Sequence, residues 1–229
     1  MGNLVSYRED GAVATVTMDD GKVNALSMAM FGEVGAALDR AEQAGATVVL
    51  AGREGIFSAG FDLKVLRAGG PEATALVRAG FELSARLLAF PAPVVIACTG
   101  HAIAMGVFLL LSGDFRVGAD GPYRITANEV AIGMTMPRAA IEICRLRLTP
   151  AHLNRALVLA EVYSPASAVP AGFLDRAVPP HEVVPAAQAL AEQLSRLDLA
   201  AHAATKRRVR PPQVIRDAIE QDKGAIDGS

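Results

Sequence analysis

A chain of 229 residues with 52% apolar side chains is long enough for one domain with a sizeable core and too apolar for intrinsic disorder. Twenty-two basic against 24 acidic residues give a net charge of −2, which leaves no electrostatic basis for binding nucleic acid or an anionic membrane. Cys98 and Cys144 lie in apolar segments without metal-ligand spacing, so both are expected as buried free thiols in a reducing compartment, and no metal site is expected.

The first ten residues are polar and lack the apolar centre of a secretory signal, which favours a cytoplasmic location. Met1-Gly2-Asn3-Leu4-Val5-Ser6 fits a myristoylation pattern, but it reads more simply as a first strand continuing through Tyr7. Residues 12–18 alternate and are β-branched, which predicts a strand, and Asp19-Asp20-Gly21 a turn. Ser27 can cap a helix over 28–44 that stops at Gly45. Residues 47–51 form a short, continuously apolar strand of the kind found in buried parallel sheets. After a loop at Gly69-Gly70-Pro71, a second long helix runs over 72–90 and is closed by Pro91 and Pro93. Residues 94–111 are the longest apolar run. Thr99, Gly100 and His101 break it into a strand, a turn and a short helix over 105–111, so it does not read as a membrane span. A further strand covers 115–119.

This alternation places the chain in the α/β class with parallel pairing. Thr149-Pro150 and Ser164-Pro165 each look like a helix cap followed by proline at the first helical position, and 181–197 and 211–223 carry helical periodicity. A change of arrangement near 165–180 suggests a core over 1–170 followed by C-terminal helices over 171–229. Those helices are expected to pack on the core or on a neighbouring subunit.

Two segments carry the chemistry. Phe57-Ser58-Ala59-Gly60-Phe61-Asp62-Leu63-Lys64 and Pro93-Val94-Val95-Ile96-Ala97-Cys98-Thr99-Gly100-His101-Ala102-Ile103-Ala104-Met105-Gly106 each run from a strand or turn into a helix start. Backbone N–H groups at such junctions are unpaired, and two aimed at one point would stabilise a thioester oxygen as it becomes an enolate. Together the segments resemble the crotonase (enoyl-CoA hydratase/isomerase) family. Asn24-Ala25-Leu26 and residues 168–178 add two further matches in the right order, so the resemblance spans essentially the whole chain.

The resemblance implies a spiral of ββα repeats, C-terminal helices that build trimers or hexamers, and an acyl-CoA substrate whose coenzyme A is part of the substrate, with no separate cofactor. It places the two oxyanion donors at the N–H of Phe61 and of Met105, and a catalytic glutamate at Glu129. Asn24 and Ala25 fall near the CoA adenine, and Ala59, Phe61, Leu63 and Lys64 beside the pantetheine and phosphates. Arg138 falls near the acyl pocket, and Lys206 where family members bring a lysine to the CoA phosphates. His101 is expected to pack, Asp62 to order its own loop, and Glu142 to be a solvated or paired surface residue.

Departures from the pattern matter more. A glycine triplet is reduced to Ala104-Met105-Gly106, and a later Gly-Gly is replaced by Ala140-Ile141. Phe108 stands where hydratases of the family carry a first glutamate, and Arg138 where some members carry an aspartate. Hydration of an enoyl thioester divides its proton transfers between two carboxylates, each worth roughly 10²- to 10⁴-fold. Moving a double bond from the 3,4 to the 2,3 position needs one base, and a dry pocket lined by Phe108 would favour it. The residues therefore favour isomerisation by Glu129 alone. Enoyl-CoA hydration in fatty-acid oxidation remains the alternative, followed by a non-catalytic acyl-CoA binder and by decarboxylation or thioester hydrolysis.

Overall fold

The computed structural model describes residues 3–222. The end of the helix expected over 211–223, and the first two residues of the myristoylation pattern, lie outside that range. The strands are β1 (Val5–Asp10), β2 (Val13–Met18), β3 (Thr47–Ala51), β4 (Gly55–Ser58), β5 (Val94–Cys98), β6 (Gly100–Ile103), β7 (Phe115–Ala119), β8 (Ile125–Thr126) and β9 (Arg176–Val178). They form two sheets. The larger has the order β1-β2-β3-β5-β7-β9 and is parallel except for the β1–β2 hairpin. The smaller has the order β4-β6-β8 and is parallel throughout. From β3 to β8, alternate strands enter alternate sheets. Each pair of strands is thus one turn of a spiral, and helices return the chain to the start of the next turn.

Side-chain alternation assigns the faces of the large sheet. Val48, Leu50, Val94 and Ile96 point into the main core, while Val49, Ala51, Val95 and Ala97 point into a second core layer. The helices α1 (Met28–Gln43), α2 (Leu63–Ala68), α3 (Gly70–Ala89), α4 (Met105–Leu111) and α5 (Arg138–Arg145) follow in chain order, and the main core is filled by buried residues of α1, α3, α4 and α5. Ser27 caps α1 by accepting from the Met30 N–H, as its position predicts. After α6 (Pro150–Leu157) and α7 (Pro165–Ala171), the helix α8 (Val183–Leu194) covers the second layer through Val183, Ala187 and Ala191, one residue per turn. A boundary at 170 therefore divides a continuous structure: it falls inside α7, ahead of a strand of the main sheet and of the helix that covers it.

The last helices, α9 (Leu199–Val209) and α10 (Pro212–Asp222), are tied down by polar contacts. Asp222 accepts from the Ala139 N–H at the start of α5. Asp114, just beyond α4, accepts from Lys206 Nζ at 2.7 Å and from Arg210 Nη1 at 2.8 Å. Among the described residues, no helix is long and apolar enough to cross a membrane.

Candidate active site

The two chemistry-bearing segments meet where the small sheet ends. The chain leaves β4 and turns at Gly60. A parallel bridge between Leu26 and Phe61 uses the Gly60 carbonyl and the Asp62 N–H, which accept from Leu26 and donate to Leu26. The N–H of Phe61 therefore faces the other way and has no acceptor among the described residues. On that other side stands the β6–α4 turn. Ala104 donates to the Thr126 carbonyl, and Met105, the first residue of α4, has no acceptor for its own N–H. The two turns touch: a Cβ added to Gly60 would lie 2.9 Å from Ala104 Cβ and 3.3 Å from Met105 N, and Gly60 has φ +91°. Only glycine fits there, and the close approach packs the turn that carries Phe61 against the turn that carries Met105.

Ser58 holds this geometry. Its buried hydroxyl donates to the Asn24 carbonyl at 2.8 Å and accepts from the Gly60 N–H at 3.1 Å. The hydroxyl stands inside a motif legible in the sequence, but no spacing rule points to its role. Ala104 holds the second turn in a strained state, with φ 51° and ψ −126°, a region that favours glycine.

Glu129 follows β8 at the start of a 3₁₀ turn (Val130–Ile132). β8 pairs with β6 through Ile103 and Thr126, so the strand that carries the donor turn and the strand that leads to the glutamate are neighbours. Glu129 is 6% exposed, and its Oε2 has no hydrogen-bond partner among the described residues. Burial pushes its pKa up to about 7, a shift that its own backbone N–H only partly offsets. Behind it, the buried Cys144 thiol is raised first by burial and then by the Glu129 charge. Thr126 Oγ1 and Asn128 Oδ1 on the same segment are also buried without a partner. A carboxyl poised near neutrality in such surroundings is suited to taking up and returning a proton.

Phe108 is buried one helical turn beyond Met105, with its ring 5.8 Å from that of Phe81. The turn from Met105 to Phe108 thus carries an aromatic ring and no carboxylate.

The remaining positions divide clearly. Asp62 caps α2 by accepting from the Lys64 N–H, and His101 accepts from the Arg124 N–H while its ring packs on Tyr123. Both therefore order their own surroundings. Glu142 pairs with Arg145. Leu63 and Lys64 are exposed on the first turn of α2, and Ala59 is half-buried with its N–H donated to Val23. Arg138 is exposed at the start of α5, with no hydrogen bond or ion pair among the described residues.

Two expectations need correction. The Asn24 side chain is enclosed: Nδ2 donates to the Met18 and Phe57 carbonyls and Oδ1 accepts from the Asp20 N–H. It locks its loop to β4, and Ala25 likewise gives its N–H to Asp20. Asn24 is fully buried, and its carbonyl accepts from Ser58, so it offers a ligand no surface, whereas Ala25 is half-buried. Lys206 is buried and paired with Asp114, so its ammonium secures α9 to the end of α4 and is not available to a phosphate.

A groove of about 580 Å³ lies between α1, α3 and α10, lined by residues that include Phe31, Arg78, Leu83, Arg86 and Ile219. Its wall includes Phe31, whose ring also meets Phe61, but not Phe61, Phe81, Met105 or Glu129. It is not the site of the donor pair.

Comparison with known proteins gives the family. The family model described as enoyl-CoA hydratase/isomerase matches residues 8–223. The chain belongs to the enoyl-CoA hydratase/isomerase family. Among solved structures, an enoyl-CoA hydratase from Mycobacterium marinum is 46% identical, with a TM-score of 0.94 over 98% of this chain and 100% of that one. An enoyl-CoA isomerase from Mycobacterium tuberculosis is 47% identical, again with a TM-score of 0.94, over 98% of this chain and 99% of that one. The human mitochondrial enoyl-CoA delta isomerase 1 is 28% identical over 224 residues, 96% of this chain and 74% of that protein. Family enzymes similar to this chain thus carry both activity names, and the names alone do not separate hydratase from isomerase.

Proposed function

We propose that this family enzyme shifts a double bond, converting 3-enoyl-CoA to 2-enoyl-CoA, with Glu129 as its single acid and base. The reading is carried by one contrast: Glu129 is buried, unpartnered and raised to about 7, while the position one turn beyond Met105 holds Phe108. The unpaired N–H groups of Phe61 and Met105 would bind the thioester oxygen. The Glu129 carboxylate would remove a proton from Cα, and the electron pair would delocalise into a dienolate whose oxygen charge the two donors hold. Return of the same proton at Cγ completes the shift, with no net change in atoms.

An apolar wall supports this economy, because excluded water neither quenches the dienolate nor exchanges the proton. Ala59, Leu63 and Lys64 stand beside the mouth formed by the β4–α2 turn, where the CoA arm would lie. Arg138 remains a candidate contact near the acyl group. No cofactor beyond the coenzyme A of the substrate is needed, and a cytoplasmic homotrimer or hexamer is the working assembly.

Incubation with 3-enoyl-CoA and 2-enoyl-CoA, with products identified by mass and ultraviolet absorbance, tests the proposal. Isomerisation gives a conjugated product of unchanged mass. A product heavier by one water from 2-enoyl-CoA, formed faster than any isomer, would replace this reading with hydration.

A further inference from the structure

Phenylalanine rings stand in series behind the donor pair. Phe31 meets Phe61 edge-on at 6.3 Å, Phe61 meets Phe81 edge-on at 6.5 Å, and Phe81 meets Phe108 at 5.8 Å. Phe61 itself carries one unpaired N–H, and Phe108 sits one turn beyond the residue that carries the other. The rings of Phe61 and Phe108 are therefore fixed to the two donor turns, and Phe81 bridges them from a separate helix, α3. Phe81 and Phe108 are fully enclosed in the main core. The approach is tight: a Cβ added to Gly80 would lie 2.6 Å from Phe61 Cε1, so glycine beside Phe81 is what lets the Phe61 ring lie against α3. Centroid separations of this size are direct ring contacts, with no methylene between them.

We propose that Phe81 sets the acyl-length limit of the site, stopping the chain that leaves the thioester carbon between Phe61 and Phe108 and so restricting the enzyme to short acyl groups. The inference rests on the acyl-CoA reading above and extends it to substrate class. An acyl chain held with its carbonyl oxygen at the two N–H groups starts between the turns that carry Phe61 and Phe108. On the α3 side it meets the Phe81 ring, and behind that ring stands the helix itself. The open groove is lined by Phe31, whose ring meets Phe61, and not by Phe61, Phe81 or Phe108. Phe61 and Phe108 belong to the donor turns, and trimming either would disturb the hole. Phe81 comes from a different helix and acts through its volume.

The test compares the intact protein with Phe81→Ala and Phe81→Leu. Binding of butyryl-, octanoyl-, dodecanoyl- and palmitoyl-CoA is measured by calorimetry, and turnover of hexenoyl-, octenoyl- and dodecenoyl-CoA by absorbance. Each methylene given a buried seat is worth roughly fourfold, so room for two or three raises the long-to-short ratio on the order of 10- to 100-fold in Phe81→Ala. Phe81→Leu keeps most of the core volume and shifts the ratio the same way by a smaller step, which covers the case in which the alanine variant fails to fold. A long-to-short ratio that is unchanged in a folded variant overturns the proposal, as does a native preference for the longest chains or no binding of any acyl-CoA. Chain-length-dependent binding without turnover would overturn the isomerase reading and leave the role of Phe81 standing.

Discussion

Replacing Glu129 with glutamine tests both the chemistry and the energetics of the site. Its carboxyl titrates near 7 in the folded chain because burial disfavours the charge, whereas the unfolded chain leaves it near the ordinary 4.5. The folded value is raised, so the folded state binds more protons between these limits, and stability falls as pH rises from about 4.5 to about 7. Above that window the ionised native state carries a penalty of about 3 kcal/mol. Glutamine has nearly the same shape and no charge, so Glu129→Gln should be more stable than the native protein by up to about 3 kcal/mol at pH 8 and equal to it near pH 4.5. For a chain of this length that is a rise of roughly 6–12 °C in melting temperature at pH 8. Activity should fall by at least about 10²-fold while acyl-CoA binding survives, because the amide cannot accept the proton. In the native enzyme kcat/KM should rise with pH through about 7, since the free enzyme must lose that proton to act as a base. Urea melts at the two pH values, at equal protein concentration, together with the isomerase assay, measure all of this. Identical stability differences at pH 4.5 and pH 8, or full turnover by the variant, would refute the reasoning.

Three further substitutions probe the donor turns and their support. Gly60→Ala places a methyl 2.9 Å from Ala104 Cβ at a φ of +91°, and should cost about 1–3 kcal/mol of stability and, if the hole opens, about 10²-fold or more in kcat. Denaturant melts and the same turnover assay read both. Ala104→Gly relieves the φ 51°, ψ −126° strain, worth about 1–3 kcal/mol before the entropy of the glycine is subtracted, so a higher melting temperature with the fold unchanged is expected. Asp114→Ala strands the buried Lys206 and its neighbour Arg210 and should destabilise by about 3–5 kcal/mol. Hydrogen exchange should show α9 loosening first.

Much of this molecule is written locally. The strand over 47–51, the helix over 28–44 with its Ser27 cap and the proline-closed helix ending near 90 follow from periodicity and capping, and the observed elements differ by a residue or two at their ends. The family is legible from four motifs in order, and the ββα spiral follows from the resemblance they carry. Cys98 and Cys144 are buried thiols, as their apolar neighbours imply. Short strands were harder. Gly100–Ile103 reads as a turn in isolation and becomes β6 only because β4 and β8 flank it.

What tertiary structure alone decides is which groups are spent on holding the fold and which are left over. Asn24 and Lys206 have residue types suited to a ligand, yet packing surrounds each with partners from remote segments, so their polar groups are satisfied internally. Glu129 is the opposite case: the fold removes its water and supplies Oε2 with no partner, and that loss of solvation is what moves its proton equilibrium toward neutrality. Phe81 reads as an ordinary core position of an amphipathic helix, and only the approach of α3 to the two donor turns places its ring between Phe61 and Phe108. Periodicity reports which face of an element is buried. It carries no information about what that face will meet, because the meeting is set by contacts between segments far apart in the chain.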